Sequence, residues 1–280
     1  MGKLNKTDIS ICKKITKNYG TSYFISTYFF PKIVREKTWI LYAFVRFPDE
    51  IVDTEEKNSL VASEKLIQWR DNWQKAFNGE IAVNPILTAN AKLWHENNIP
   101  FEYSKVFLDA MMLDTKKNRY ETYNELEEYM QGSATVIGYM MSYIMGFRDG
   151  ALPYAKALGE AFQLTNFLRD IKEDFDRGRI YIPTEDMDAY RVSEKDFSDI
   201  HMSENMKKLI LFEINRNEEL YQKALIGIPY LDKKCQRAVR IALYLYKEIA
   251  DQIKENPEHI FRERVRVSDF RKIIIILKNF

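Results

Sequence analysis

Apolar residues in this chain recur at steps of three and four along nearly its whole length, as in Ile33, Trp39, Ile40, Ala43 and Phe44 or in Leu209 and Phe212. That period puts one face of a 3.6-residue helix against a core, and sustained period-two alternation bounded by turn signals is absent. The chain is therefore expected to be all-α, a large helical bundle. Breaks at Gly20, Gly79, Pro85, Pro100, Pro153, Gly178, Pro183, Gly227, Pro229 and Pro257 divide it into about ten helical segments. Pro48 sits inside a helical run, where it either opens a new turn next to Asp49 and Glu50 or merely kinks the helix.

At 280 residues and 46% hydrophobic content the chain can bury a large core. Glycine and proline are scattered, with no linker, repeat or low-complexity tract, so one domain over 1–280 is expected. The 42 basic and 41 acidic residues nearly cancel, which gives no global pull towards nucleic acid, and none is expected as a partner. The longest apolar stretch, Val136 to Phe147, is too short to span a bilayer, and residues 1–20 lack the apolar core of a secretion signal. Cys12 and Cys235 are far apart and read as buried, inert thiols, which fits a reducing cytoplasm.

The chemistry lies in two Asp-x-x-x-Asp pairs, Asp49 with Asp53 and Asp170 with Asp174. Carboxylates four residues apart share a helical face. One such pair is ordinarily a solvated surface, but both lie in apolar runs (Tyr42, Ala43, Phe44 and Val45; Leu164, Phe167 and Leu168), where like charges need a cation. Two pairs suggest two facing clamps holding divalent metal against a diphosphate. Arg46 and Arg169 stand next to the pairs; either they orient phosphate oxygens or they form plain salt bridges. Asn166 and Gln163 share the face of Asp170 and offer an oxygen ligand and a hydrogen bond. All-oxygen ligation favours Mg²⁺, with Mn²⁺ the substitute. His95, His201 and His259 occur in no His-Glu-x-x-His or Glu-x-x-His pattern, and there is no Walker loop or Gly-x-Gly-x-x-Gly. Aromatic rings near the acidic pairs are either core packing or a shield for a carbocation.

Four segments, YAFVRFPDEIVD from Tyr42, LDTKKNRYETYNELEEYMQGSATVIG from Leu113, QLTNFLRDIKEDFDRGRIYIPTEDM from Gln163 and RERVRV from Arg262, together resemble the phytoene and squalene synthase family. These enzymes join prenyl diphosphates head to head. The resemblance implies a single isoprenoid synthase-like helical domain with a central apolar cavity. It implies Asp49, Asp53, Asp170, Asp174 and Asn166 as Mg²⁺ ligands, and Tyr42, Arg46, Gln163, Arg169, Tyr246 and Arg264 as substrate contacts. Ser22 matches the family's N-terminal substrate flap, and Tyr129 a tyrosine near the departing diphosphate.

The implied reaction joins two prenyl diphosphates through a cyclopropylcarbinyl diphosphate. Likeness to prokaryotic phytoene synthases favours two geranylgeranyl diphosphates and phytoene, in carotenoid biosynthesis and without NADPH. The alternative is squalene or dehydrosqualene from two farnesyl diphosphates. A non-catalytic helical scaffold or assembly factor of the same fold would have eroded acidic motifs, and all four aspartates are present. A C30 or C40 hydrocarbon would leave into lipid, so a cytoplasmic protein with peripheral membrane contact is expected, although no basic amphipathic helix marks the contact face.

Overall fold

The computed structural model describes residues 4–19, 21–55, 58–80, 84–198 and 201–279, and among these the expected helices form with no strand. In chain order they are α1 (Lys6–Tyr19), α2 (Thr21–Thr27), α3 (Lys32–Thr54), α4 (Ser59–Phe77), α5 (Pro85–Asn97), α6 (Phe101–Asp114), α7 (Tyr123–Met130), α8 (Val136–Met145), α9 (Leu152–Arg169), α10 (Ile171–Asp176), α11 (Thr184–Ala189), α12 (Glu204–Gly227), α13 (Lys233–Glu255), α14 (His259–Arg262) and α15 (Asp269–Lys278). The segments outnumber the breaks read from glycine and proline.

Local chemistry sets many of the ends. Pro85 opens α5 while Asn84 accepts from the Ile86 amide at 2.9 Å, and Asn98 closes the helix at φ 52°, a left-handed conformation that asparagine tolerates. Thr122, Ser203 and Ser268 cap α7, α12 and α15 through their hydroxyls. Pro48 is buried inside an unbroken α3. It opens no new element, and its missing amide costs the helix one hydrogen bond. A short π-helical turn, Gln131–Thr135, joins α7 to α8.

Contacts gather the chain into two compact units. The first comprises Met1–Lys116, Val136–Leu152 and Pro229–Ala238; the second comprises Lys117–Thr135, Pro153–Ile228 and Val239–Phe280. In the first, α3 packs on α1, α4, α5, α6 and α8. Its Phe44 lies 4.7 Å from Trp73 and 5.3 Å from Trp94 between ring centroids, all three fully buried. The second has an aliphatic core that includes Leu168, Ile171, Met206, Ile210, Ile253 and Ile260, with α10 against α14. Each acidic pair is thus carried on a helix anchored by its own buried apolar face. Cys12 and Cys235 are buried, and burial pushes their thiols up to about 12 and about 11. They are protonated and inert, as expected.

Candidate active site: two carboxylate clusters

The first cluster lies on α3 in the first unit. Four-residue spacing brings Tyr42, Arg46 and Glu50 onto one strip of the helix, with Asp49 and Asp53 beside them. Arg46 is the hub: it is ion-paired with Asp49, donates to Glu50 Oε2 at 2.6 Å and stands 3.9 Å from Asp53. The Tyr19 ring covers its guanidinium at 4.9 Å, a cation–π contact that holds the charge in place. Tyr42 stacks on Tyr23 with centroids 5.3 Å apart.

The second cluster lies in the second unit, where α9 gives way to α10. The sequence reads as one continuous helix here, but α9 ends at Arg169 and α10 starts after Asp170, whose side chain makes no capping bond. The face survives the break because the Asp170 amide donates to the Asn166 carbonyl at 2.8 Å and the Asp174 amide to the Asp170 carbonyl at 2.8 Å. Asp170 is gripped by two arginines. Arg169 Nε donates to Oδ1 at 2.8 Å, and Arg264, 94 residues away in sequence, donates from Nε at 2.9 Å and from Nη2 to Oδ2 at 3.0 Å. Such charge-assisted, forked bonds fix the carboxylate plane.

Asp174 is the electrostatically loaded member. Burial first, and then the negative charge of Asp170, push its carboxyl up to about 8, while Arg179 and Arg177 pull the other way. An open cleft of about 340 Å³ beside Asp170 is lined by the cations Arg169, Lys172, Arg177, Arg262 and Arg264, by the acids Asp170, Glu173, Asp176 and Glu263, and by Ile260 and Phe261. Cations and acids are nearly balanced there, so the arginines can meet a polyanion where another cation takes up the acids beside them.

Of the remaining expected residues, Tyr129 is buried, with its ring 5.3 Å from Tyr120 and 5.8 Å from Tyr181. Tyr246 stacks on Phe162 at 4.3 Å. Gln163 lies half-buried on α9, three residues before Asn166. The side chain of Ser22 lies outside the described residues. Sequence reasoning missed Glu50 as a partner of Arg46, Tyr19 as its cover, Arg179 beside Asp174, and Tyr181, stacked 4.0 Å from Phe167. Glu50 was the readable one, since it lies four residues after Arg46 on the same face.

Among the described residues no group of three His, Cys, Asp or Glu side chains converges as a metal site. The carboxylates are paired instead with arginines. The donor set nonetheless fits a hard cation: Asn166 Oδ1 is buried and accepts no hydrogen bond, one turn from Asp170, and Asp174 is held towards its protonated form by burial, which a cation beside it would reverse.

The pattern of the squalene/phytoene synthase family matches residues 16–271. The chain is similar to the phytoene synthase of Arthrospira platensis, with 30% identity over 95% of this chain and 90% of that one. It is equally similar, at 30% identity, to the 15-cis-phytoene synthase of a Synechocystis strain, over 95% and 82% of the two chains. Among solved structures, a dehydrosqualene synthase crystallised with a ligand superimposes with a TM-score of 0.90 at 25% identity, covering 98% of this chain and 95% of that one.

Proposed function

The chain belongs to the squalene/phytoene synthase family, and from that premise we propose that it condenses two geranylgeranyl diphosphates head to head to phytoene, a step of carotenoid biosynthesis. It is a prenyltransferase, and the proposed catalytic domain is the whole of 1–280. The observation that carries the reading is the second cluster: Asp170 between Arg169 and Arg264 in a cleft of mixed charge, Asp174 whose ionisation burial disfavours, and the unpartnered Asn166 oxygen. The preference for C20 donors rests on the phytoene synthases of Arthrospira and Synechocystis among its relatives.

In this reading Asp49 and Asp53, and Asp170 and Asp174 with Asn166, hold Mg²⁺. When bound, the ion supplies Lewis-acid stabilisation of a departing diphosphate. The protein's own residues do the rest. Arg46, Arg169 and Arg264 exchange their carboxylate partners for diphosphate oxygens and so fix the leaving groups, with Tyr42, Gln163 and Tyr246 as further contacts and Ser22 in the N-terminal flap. The ring of Tyr129, stacked near Tyr120 and Tyr181, offers an aromatic face to the allylic cation while excluding water. That cation is attacked by the double bond of the second donor, giving a cyclopropylcarbinyl diphosphate and releasing one proton. Loss of the second diphosphate, rearrangement and loss of a further proton then yield phytoene with no reductant consumed.

Formation of dehydrosqualene or squalene from two farnesyl diphosphates is the second reading, favoured by the likeness to the dehydrosqualene synthase. Mass analysis of products from each donor with Mg²⁺, with and without NADPH, decides between them. Phytoene from the C20 donor without NADPH is expected. A C30 product alone would move the assignment to the second reading, and no hydrocarbon from either donor would remove both.

A further inference from the structure

The last helix is built the wrong way round for a surface helix of a soluble protein. Ile275 of α15 packs against the core of the second unit, yet no residue of the helix is buried. On roughly the opposite side, Phe270, Ile273 and Leu277 are 73%, 55% and 67% exposed. Their spacing of three and four residues makes them one continuous stripe. A helix docked through one face normally turns charged and polar residues to water on the other; here the outward face is aromatic and aliphatic.

The surroundings of the stripe are basic. Residues 262–279 hold six basic side chains against two acidic ones (Glu263, Asp269), in a chain whose net charge is +1; Arg262, Arg264, Arg271 and Lys272 are ion-paired with Glu258, Asp170, Glu248 and Asp269. Asp269, at the edge of the stripe, is held by Lys272 at 2.9 Å. Arg266 and Lys278 are exposed.

We propose that α15 docks the protein on an anionic lipid surface, with Phe270, Ile273 and Leu277 entering the interface and Arg266 and Lys278 meeting the headgroups. An amphipathic helix with an apolar stripe beside basic residues binds in this way through buried apolar area plus attraction to anionic lipid. A second copy of this chain fits less well, because a two-fold contact through the stripe would set the same basic flanks against each other. The inference deepens the proposed function, since a C40 hydrocarbon must leave into lipid, but its evidence is the helix itself.

The test is co-sedimentation of the full chain with vesicles of phosphatidylcholine alone and of phosphatidylcholine mixed with phosphatidylglycerol. Binding to the mixed vesicles is expected. The triple variant Phe270→Ser, Ile273→Ser, Leu277→Ser should bind at least about tenfold more weakly. Arg266→Gln with Lys278→Gln, or raised salt, should weaken binding about threefold or more. Turnover in detergent micelles should match the unaltered protein for the triple variant. Equal vesicle binding by the unaltered protein and the triple variant, or no binding by either, overturns the proposal. So does a concentration-dependent dimer that the triple variant abolishes, which assigns the stripe to a second copy. Vesicle binding is read without any reaction, so an absence of product in detergent counts against the proposed function and leaves the docking result standing.

Discussion

Asp174 and Asn166 are the residues whose surroundings fit worst without a ligand. The first is a carboxylate held where burial and Asp170 disfavour its charge; the second is a buried amide oxygen that accepts nothing. Each is a group that a hard cation would satisfy. Asp170→Asn and Asp174→Asn each remove a charge and almost no volume, so each should lower turnover about 100-fold or more while circular dichroism stays unchanged. Loss of helix content instead would show that the carboxylate is structural. A different buried acid makes a stability prediction. Glu213 is 3% exposed, and burial raises its carboxyl to about 8 although Arg216, shared with Asp186, opposes the shift. Its folded pKa lies above the ordinary carboxylate value, so the folded state binds the extra proton between the two. The stability this gives is full below about pH 4 and is lost as pH rises to about 8. Asp174 titrates in the same window, so the reading must be a difference: Glu213→Gln should melt progressively higher relative to the unaltered protein between pH 5 and pH 8.5. A constant difference would mean that Arg216 keeps Glu213 ionised throughout.

At the scale of elements, α9 and the π turn approach each other closely in the second unit. A Cβ on Gly159 would lie 2.8 Å from the Ala134 carbonyl oxygen, closer than real Cβ atoms come to backbone that cannot rotate away. Gly159→Ala should therefore cost about 1–3 kcal/mol, read as a lower urea midpoint. Because the turn begins two residues after Tyr129, turnover of the folded fraction should fall as well; an unchanged midpoint would mean that α9 shifts freely. This contact marks where the sequence stops being readable. Periodicity reveals the helices, and apolar runs around spaced aspartates reveal the pairs, because both depend on residues within one turn. Arg46 and Arg169 are readable as neighbours for the same reason. Arg264 reaches Asp170 across 94 residues, so only the resemblance in RERVRV points to it. The π turn in QGSAT and the break at Asp170 leave no local signal, since each is imposed by what packs against it. The outward stripe of α15 is hidden differently: DFRKIIIILK is apolar on opposite sides, and only tertiary contact shows that Ile275 is the side turned inward.

For the molecule as a whole, the arginines decide how it responds to ligands. Without metal, Asp49 is paired with Arg46, and Asp170 with Arg169 and Arg264. The carboxylates are therefore already neutralised, and the buried cores of Phe44, Trp73 and Trp94 and of the aliphatic cluster need no ion to form. Chelation should leave the thermal transition in place. Mg²⁺ alone must displace arginines from the same oxygens, while a diphosphate alone brings negative charge to clefts still holding carboxylates, so each should shift the midpoint little. In the proposed reading the two added together exchange partners, the ion taking the carboxylates and the arginines taking the diphosphate. A ligand that binds only the folded state at about 100 times its Kd adds about 2.7 kcal/mol, which for a chain of this size is a rise of roughly 5 °C or more. Differential scanning fluorimetry with Mg²⁺, with a non-hydrolysable prenyl diphosphate analogue, and with both should therefore give two small shifts and one large one. A full shift with the analogue alone would mean that the arginines bind diphosphate without metal, and the role of the aspartates as ligands would fall.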